Sequence, residues 1–329
     1  MKKKFITLLV AFSASMAANA TILRVSNVSG STAPYSTIEA AHEAASPGDT
    51  IMVDGSPTSY GGKITITKKL VLIGPGYLLL ENGIVDEAAP SAQVGITLSE
   101  NETSTAAGSV VTGFTILGEG IRVNVPNCII KRNYFPGSNS NSAIDLRADN
   151  CVIHQNFFSN YNNVLTTAGV GAYIVHPFQF TNNIVVKSSK IISGLANGYI
   201  AYNTFIPTEK KDNENEYNCW NNVANSTFEH NIMPTTFVHY GSTSLTNTNE
   251  YSDNYIGVFD VDLTTLTTDK AVMTVEKAMS ENKYGAFAGD SPYVISGIPA
   301  APVIENLIVP ISVEAGSKMS VTIKVGVQK

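Results

Sequence analysis

The stretch NCIIKRNYF (127–135) returns as NCVIHQNFF at 150–158, and its frame recurs in PFQFTNNIV (177–185), NGYIAYNTF (197–205), NSTFEHNIM (225–233) and NEYSDNYI (249–256). These segments align on Asn133, Asn156, Asn183, Asn203, Asn231 and Asn254, with successive spacings of 23, 27, 20, 28 and 23 residues. A unit this short cannot bury an apolar face alone, so the units must stack on one another. The period is too short for a propeller blade and lacks the leucine pattern of a leucine-rich repeat.

Two columns of the alignment are apolar throughout: Ile130, Ile153, Phe180, Ile200, Phe228 and Tyr251 three residues before each Asn, and Phe135, Phe158, Val185, Phe205, Met233 and Ile256 two residues after it. Between the first column and the Asn lie Lys131, His154, Thr181, Ala201, Glu229 and Ser252, mostly polar. This is the period-two alternation of a half-buried strand. The chain must then bend within two residues, which points to the Asn itself in left-handed geometry. Stacked asparagines can also hydrogen-bond from coil to coil, so the six are expected to form a structural ladder.

The pattern resembles the right-handed parallel β-helix of the pectin-lyase-like superfamily, in which coils of twenty-odd residues carry short strands and an Asn ladder marks one tight turn. The resemblance is specific from about Lys63 to Ile256. SVVTGFTI (109–116) fits as an earlier coil with Gly113 and Phe114 at the bend, and KKLVLIGPGY (68–77) as one earlier still.

An open stack exposes core and strand edges at both ends. In YSTIEAAHEAASPGDTIMV, Ser36 and Glu39 read as a capping box, Ile38, Ala41 and Ala45 share a face, and Pro47-Gly48 stops the helix. Such helices are similar to the N-terminal lids of secreted β-helices. After Asn254 the repeat ends, and APVIENLIVPISVEAGSKMSVTIKVGVQ alternates like antiparallel strands turning at Ala315-Gly316. That tail resembles the ending of secreted Bacteroidales β-helix proteins. The expected fold is all-β: a right-handed parallel β-helix over 63–260, preceded by a strand and lid helix over 21–62 and followed by a β-rich cap over 261–329.

Residues 1–20 read as a cleaved secretory signal peptide: Lys2 to Lys4, an apolar run from Phe5 to Phe12, then Ala18-Asn19-Ala20. No Cys follows the run, so no lipid anchor is expected, and the mature chain is placed in the periplasm or outside the cell, without membrane insertion. Without the three signal lysines, 18 basic residues face 27 acidic ones, a balance of −9 that disfavours nucleic acid and anionic membranes. Cys128, Cys151 and Cys219 are too few for a disulfide framework. Cys128 and Cys151 share a column and read as stacked free thiols.

Characterised members of the superfamily mostly act on acidic polysaccharides. Neither the calcium-gathering acids of pectate lyases nor the Asn-Thr-Asp segment of polygalacturonases is present. The densest charged group on an expected strand is Asp145, Arg147 and Asp149, with Arg122 placed 23 residues before Asp145 on the preceding coil. Arg122, Asp145 and Arg147 are therefore the candidates for holding an acidic sugar or for proton transfer. His154, His176, His230 and His239 share no metal-ligand spacing, the polar insertion 209–218 reads as a solvated loop, and neither metal nor cofactor is implied.

The column after each Asn holds Tyr134, Phe157, Ile184, Thr204, Ile232 and Tyr255, where alternation calls for polar residues. Either the insertions or the tail cover this stripe, or it is open and Tyr134, Phe157 and Tyr255 stack on sugar rings. The functional expectation is a secreted or cell-surface, non-catalytic carbohydrate-binding or adhesive module whose partner is polysaccharide or surface glycan, with a divergent polysaccharide lyase or glycoside hydrolase acting on acidic polysaccharide as the alternative. Ligand identity and oligomeric state have no signature in the chain.

Overall fold

The computed structural model describes residues 20–87, 89–137, 142–167, 174–207, 217–234, 237–240, 248–257, 261–279, 283–299, 302–308 and 322–327. The expected signal peptide, most of the polar insertion, the side chain of His239 and the expected turn at Ala315-Gly316 lie outside the described part.

The repeat builds an all-parallel β-solenoid. Among the described residues ten strands, from Ile22–Val25 through Ile129–Lys131, Cys151–His154 and Leu195–Ala201 to Glu250–Ser252, form the first sheet. The coils begin before residue 63, because Ile22–Val25 and Thr50–Val53 pair in register with each other and Thr50–Val53 pairs in turn with Val71–Ile73. A second face carries the strands that follow each Asn, such as Tyr134–Pro136, Phe157–Ser159 and Ile184–Val186, and a third carries Ser142–Leu146, Asn163–Thr166 and Lys190–Ser193.

The long strand Phe114–Val123 joins these last two faces: Thr115 pairs with Tyr134 at one end, and Ile121 with Ile144 at the other. It turns this corner at Gly118 and Gly120, whose φ of 65° and 75° side-chain-bearing residues rarely adopt.

Ile130, Ile153, Phe180, Ile200 and Phe228, with Phe135, Phe158, Val185, Phe205 and Met233, are fully buried between the faces. Phe135 and Phe158 stack at 4.6 Å between centroids, and Phe158 stacks on Phe180 at 5.8 Å. The last coil differs: Tyr251 is 39% and Ile256 53% exposed.

The six asparagines form a continuous hydrogen-bonded column. Oδ1 of Asn156 accepts from the backbone N–H and Nδ2 of Asn133, and the same relation links Asn156 to Asn183, Asn183 to Asn203, Asn203 to Asn231 and Asn231 to Asn254. Each Nδ2 also donates to a carbonyl of the preceding coil, as from Asn203 to Phe180 O at 2.7 Å. The column ends on the N–H of Phe114, which donates to Asn133 Oδ1.

The left-handed residue, however, is the one before each Asn: Arg132, Gln155, Asn182, Tyr202, His230 and Asp253 have φ between 46° and 55°, and Gly113 takes this place one coil earlier. The expectation of left-handed ladder asparagines is thus corrected. One residue turns the chain, and its neighbour's amide satisfies the backbone groups that the turn strips from the sheets. Left-handed asparagines do occur, at Asn127, Asn150, Asn197 and Asn225, the first residues of four repeats.

Helix α1 (Ile38–Ala44) buries Ile38 and Ala41 against the first strands. Its N-cap is Thr37, whose Oγ1 accepts from Ala40 N–H, one residue beyond the expected Ser36. At its other end Lys68 Nζ donates to the carbonyls of His42, Glu43 and Ala45.

Beyond the repeat, a second helix, α2 (Asp269–Met279), stands where only a β-rich cap was expected. Pro302–Ile308 and Thr322–Val327 pair antiparallel with each other.

Candidate functional site

The third face carries a polar column one coil apart at each step. In register stand Thr65, Thr97, Arg122, Asp145, Thr166, Ser193 and Asn221. Parallel stacking spaces these positions by about 4.8 Å along the axis. Ile144 and Leu146 point into the core on either side of Asp145 and hold the strand in place.

Arg122 and Asp145 meet across neighbouring coils, Nε donating to Oδ2 at 3.1 Å. Arg147, two residues on, donates to the same oxygen from Nε at 3.0 Å and from Nη2 at 2.6 Å. The two guanidinium side chains are 36% and 38% exposed, while the carboxylate is 16% exposed. Two cations on one anion leave a positive excess at the surface. Among the described residues neither Asp145 Oδ1 nor Ser193 Oγ, in the same column, has a hydrogen-bond partner.

Tyr134 and Phe157 are placed differently from what sugar stacking requires. Phe157, Ile184 and Ile232 are fully buried and Thr204 nearly so. Residues of 261–279 and 283–299 lie over them: Leu266, Val272, Ala286 and Tyr293 join Phe157, Ile184, Val186 and Ile206 in one apolar cluster, with Tyr134 half-buried at its edge. Inside it Tyr134 stacks on Phe157 at 5.3 Å and lies tilted against Tyr77 at 5.4 Å. Phe157 therefore offers no ring to an external ligand, because the helix and its following loop occupy that face. Tyr255, near the exposed end of the stack, lies 6.0 Å from the Tyr284 ring.

The covering segment is held by two acids of α2. Asp269 Oδ2 accepts from Tyr293 Oη and from Ser296 N–H, and Tyr293 Oη bonds in turn to Tyr77 Oη. Glu276 accepts from Thr204 Oγ1 and from Phe287 N–H. Burial pushes both carboxyls up to about 7, against the opposing pull of these donors.

The histidines are separately engaged. His154 bonds Thr181 through Nδ1 and Ser291 Oγ through Nε2, and burial draws it down to about 4. His176 pairs with Asp149 at 2.6 Å, and His230 stacks on Tyr202. Among the described residues no three His, Cys, Asp or Glu side chains gather as a metal site. Cys128, Cys151 and Cys219 are free and buried.

Sequence alignment on the Asn frame missed most of the polar column, because insertions of different length separate it from the Asn in each coil. The usable signal was a polar residue between two inward aliphatic ones, as in Ile64-Thr65-Ile66, Ile96-Thr97-Leu98, Ile121-Arg122-Val123 and Ile144-Asp145-Leu146. Compared with protein families, curated proteins and solved structures, the chain matches none of them.

Proposed function

We propose that this protein is a secreted, non-catalytic saccharide-binding module, a right-handed parallel β-helix of the pectin-lyase-like kind, and that the third face is its binding surface. One observation carries this: Asp145 is clamped between Arg122 and Arg147 in the middle of a straight row of hydroxyl, amide and charged groups. Such a row matches an extended glycan lying along the axis, with the accessible hydroxyls of Thr65 and Thr166 on either side of a positive centre for an acidic sugar. An oxygen already accepting from two guanidiniums is a poor proton acceptor, which disfavours general-base chemistry. The signal-peptide pattern at the N-terminus and the resemblance in the repeat support secretion and kinship.

The alternative, a divergent lyase or hydrolase, is favoured by Asp145 Oδ1, which no donor among the described residues reaches. A panel of neutral and acidic polysaccharides separates the two, scored for binding and for released ends. Binding without product, weakened by Arg122→Ala and Arg147→Ala, is the expected result. Degradation of any polysaccharide that Asp145→Asn abolishes would establish the enzyme reading instead.

A further inference from the structure

A groove of about 500 Å³ opens where the bend of the coils meets the covering segment. Arg132 forms its polar wall, with Gln155 and Asp290, and Ile84, Met273 and Phe287 line the apolar side. Arg132 is half-buried, and its guanidinium is fixed by two neutral acceptors: Nε donates to Gln155 Oε1 at 2.8 Å and Nη1 to Ile298 O at 3.1 Å. Gln155 is itself anchored, donating to Ser291 O and Pro292 O.

Among the described residues no carboxylate pairs with Arg132, nor with its neighbour Lys131, while Arg24, Arg122 and Arg147 each have an acid partner. His154 stands beside Lys131 on the next coil, in register with it. Arg132 and Lys131 thus stand side by side without a counter-charge at one bend of a chain with an acidic balance, while His154, drawn down to about 4 by burial, adds no charge near neutral pH. A charge withdrawn from water without a counter-charge is costly, and an arriving anion would relieve that cost. The remaining guanidinium donors are held in a planar fork that suits a carboxylate or a sulfate ester.

We propose that this groove is a second ligand site, binding the acid group of an anionic saccharide through Arg132 while the sugar's apolar face lies on Phe287 and Met273. The exposed Asp290 at the rim is a ready acceptor for a sugar hydroxyl. The inference takes its ligand class from the saccharide-binding reading, but the residues and the face are different.

The test is calorimetric titration of the mature chain with trigalacturonate, its full methyl ester, and a sulfated neutral trisaccharide. Trigalacturonate should bind, and the ester at least about tenfold more weakly. Binding of the sulfated sugar alone, with the same dependence on Arg132, would support the site and identify its anion as sulfate. Arg132→Gln should lose the difference between acid and ester. Glutamine is conformationally suited to that position, since Gln155 holds the equivalent place with φ of 55°. Ile84→Glu, at a side chain 39% exposed, puts a competing carboxylate into the groove without touching the contacts of Arg132, and should weaken binding with an unchanged Tm.

Equal affinity for acid and ester, or binding unaffected by both variants, would overturn the groove. Binding lost only in the Arg122 and Arg147 variants would do so while leaving the third face standing. Binding lost only in Arg132→Gln and Ile84→Glu would support the groove and count against the third face, and no binding by any probe would overturn both.

Discussion

Asn183 Oδ1 accepts two hydrogen bonds from Asn156, one from its backbone N–H at 2.9 Å and one from its Nδ2 at 3.1 Å, although 27 residues separate them in the chain. Removing either side chain strands buried donors on one neighbour and a carbonyl on another. Asn156→Ala and Asn203→Ala should each destabilise the protein by about 1 to 3 kcal/mol. Asn254→Ala, at the partly exposed end of the column, should cost less. Unfolding midpoints in urea equal to wild type for the two interior variants would show that the ladder contributes nothing.

The acids of α2 make a pH prediction whose sign follows from linkage. Asp269 and Glu276 titrate near 7 in the fold and at about 3.9 and 4.3 when unfolded. Between those values the folded state holds more protons, so stability falls as pH rises from about 4 to about 7 and levels off above. Urea midpoints for unfolding of the covering segment should be higher at pH 5 than at pH 8. Asp269→Asn and Glu276→Gln should raise the midpoint at pH 8 and flatten the profile. A profile as steep in the double variant as in wild type would assign the pH dependence elsewhere.

The cysteines should be silent until the protein unfolds. Cys219 is pushed up to about 12 by burial, and the thiols of Cys128 and Cys151 point at backbone carbonyls inside the stack. With a thiol-reactive dye the native protein should release no colour within minutes. All three thiols should react in denaturant. Fast reaction of even one in the native state would contradict the burial described.

At the N-terminal end, Ile38 and Ala41 of α1 belong to the same buried core as the first strands. Deleting residues 21–49 should leave Ile51, Val53 and the edge of Thr50–Val53 bare, and aggregation is the expected outcome in size-exclusion chromatography. A monomeric truncation with a cooperative melt would show that the helix is no lid.

The alternation around six asparagines was enough to determine a parallel stack, its inward columns and the spacing of Arg122 and Asp145, because strand period and coil period are local properties of the chain. It also marked the column of Phe157 and Ile184 as anomalous. What lies on that column was not legible, since α2 reaches it from about a hundred residues away and only packing decides where a distant amphipathic segment docks. The choice of Arg132 and Gln155 rather than the asparagines for the left-handed turn was hidden for a related reason. Intrinsic preference favours Asn there, but the stack pins the ladder amide between neighbouring coils, and the strain falls on the residue before it. The groove at Arg132 exists only because the coil bend and the covering loop meet in space, so its unpaired charge became visible only in the folded molecule.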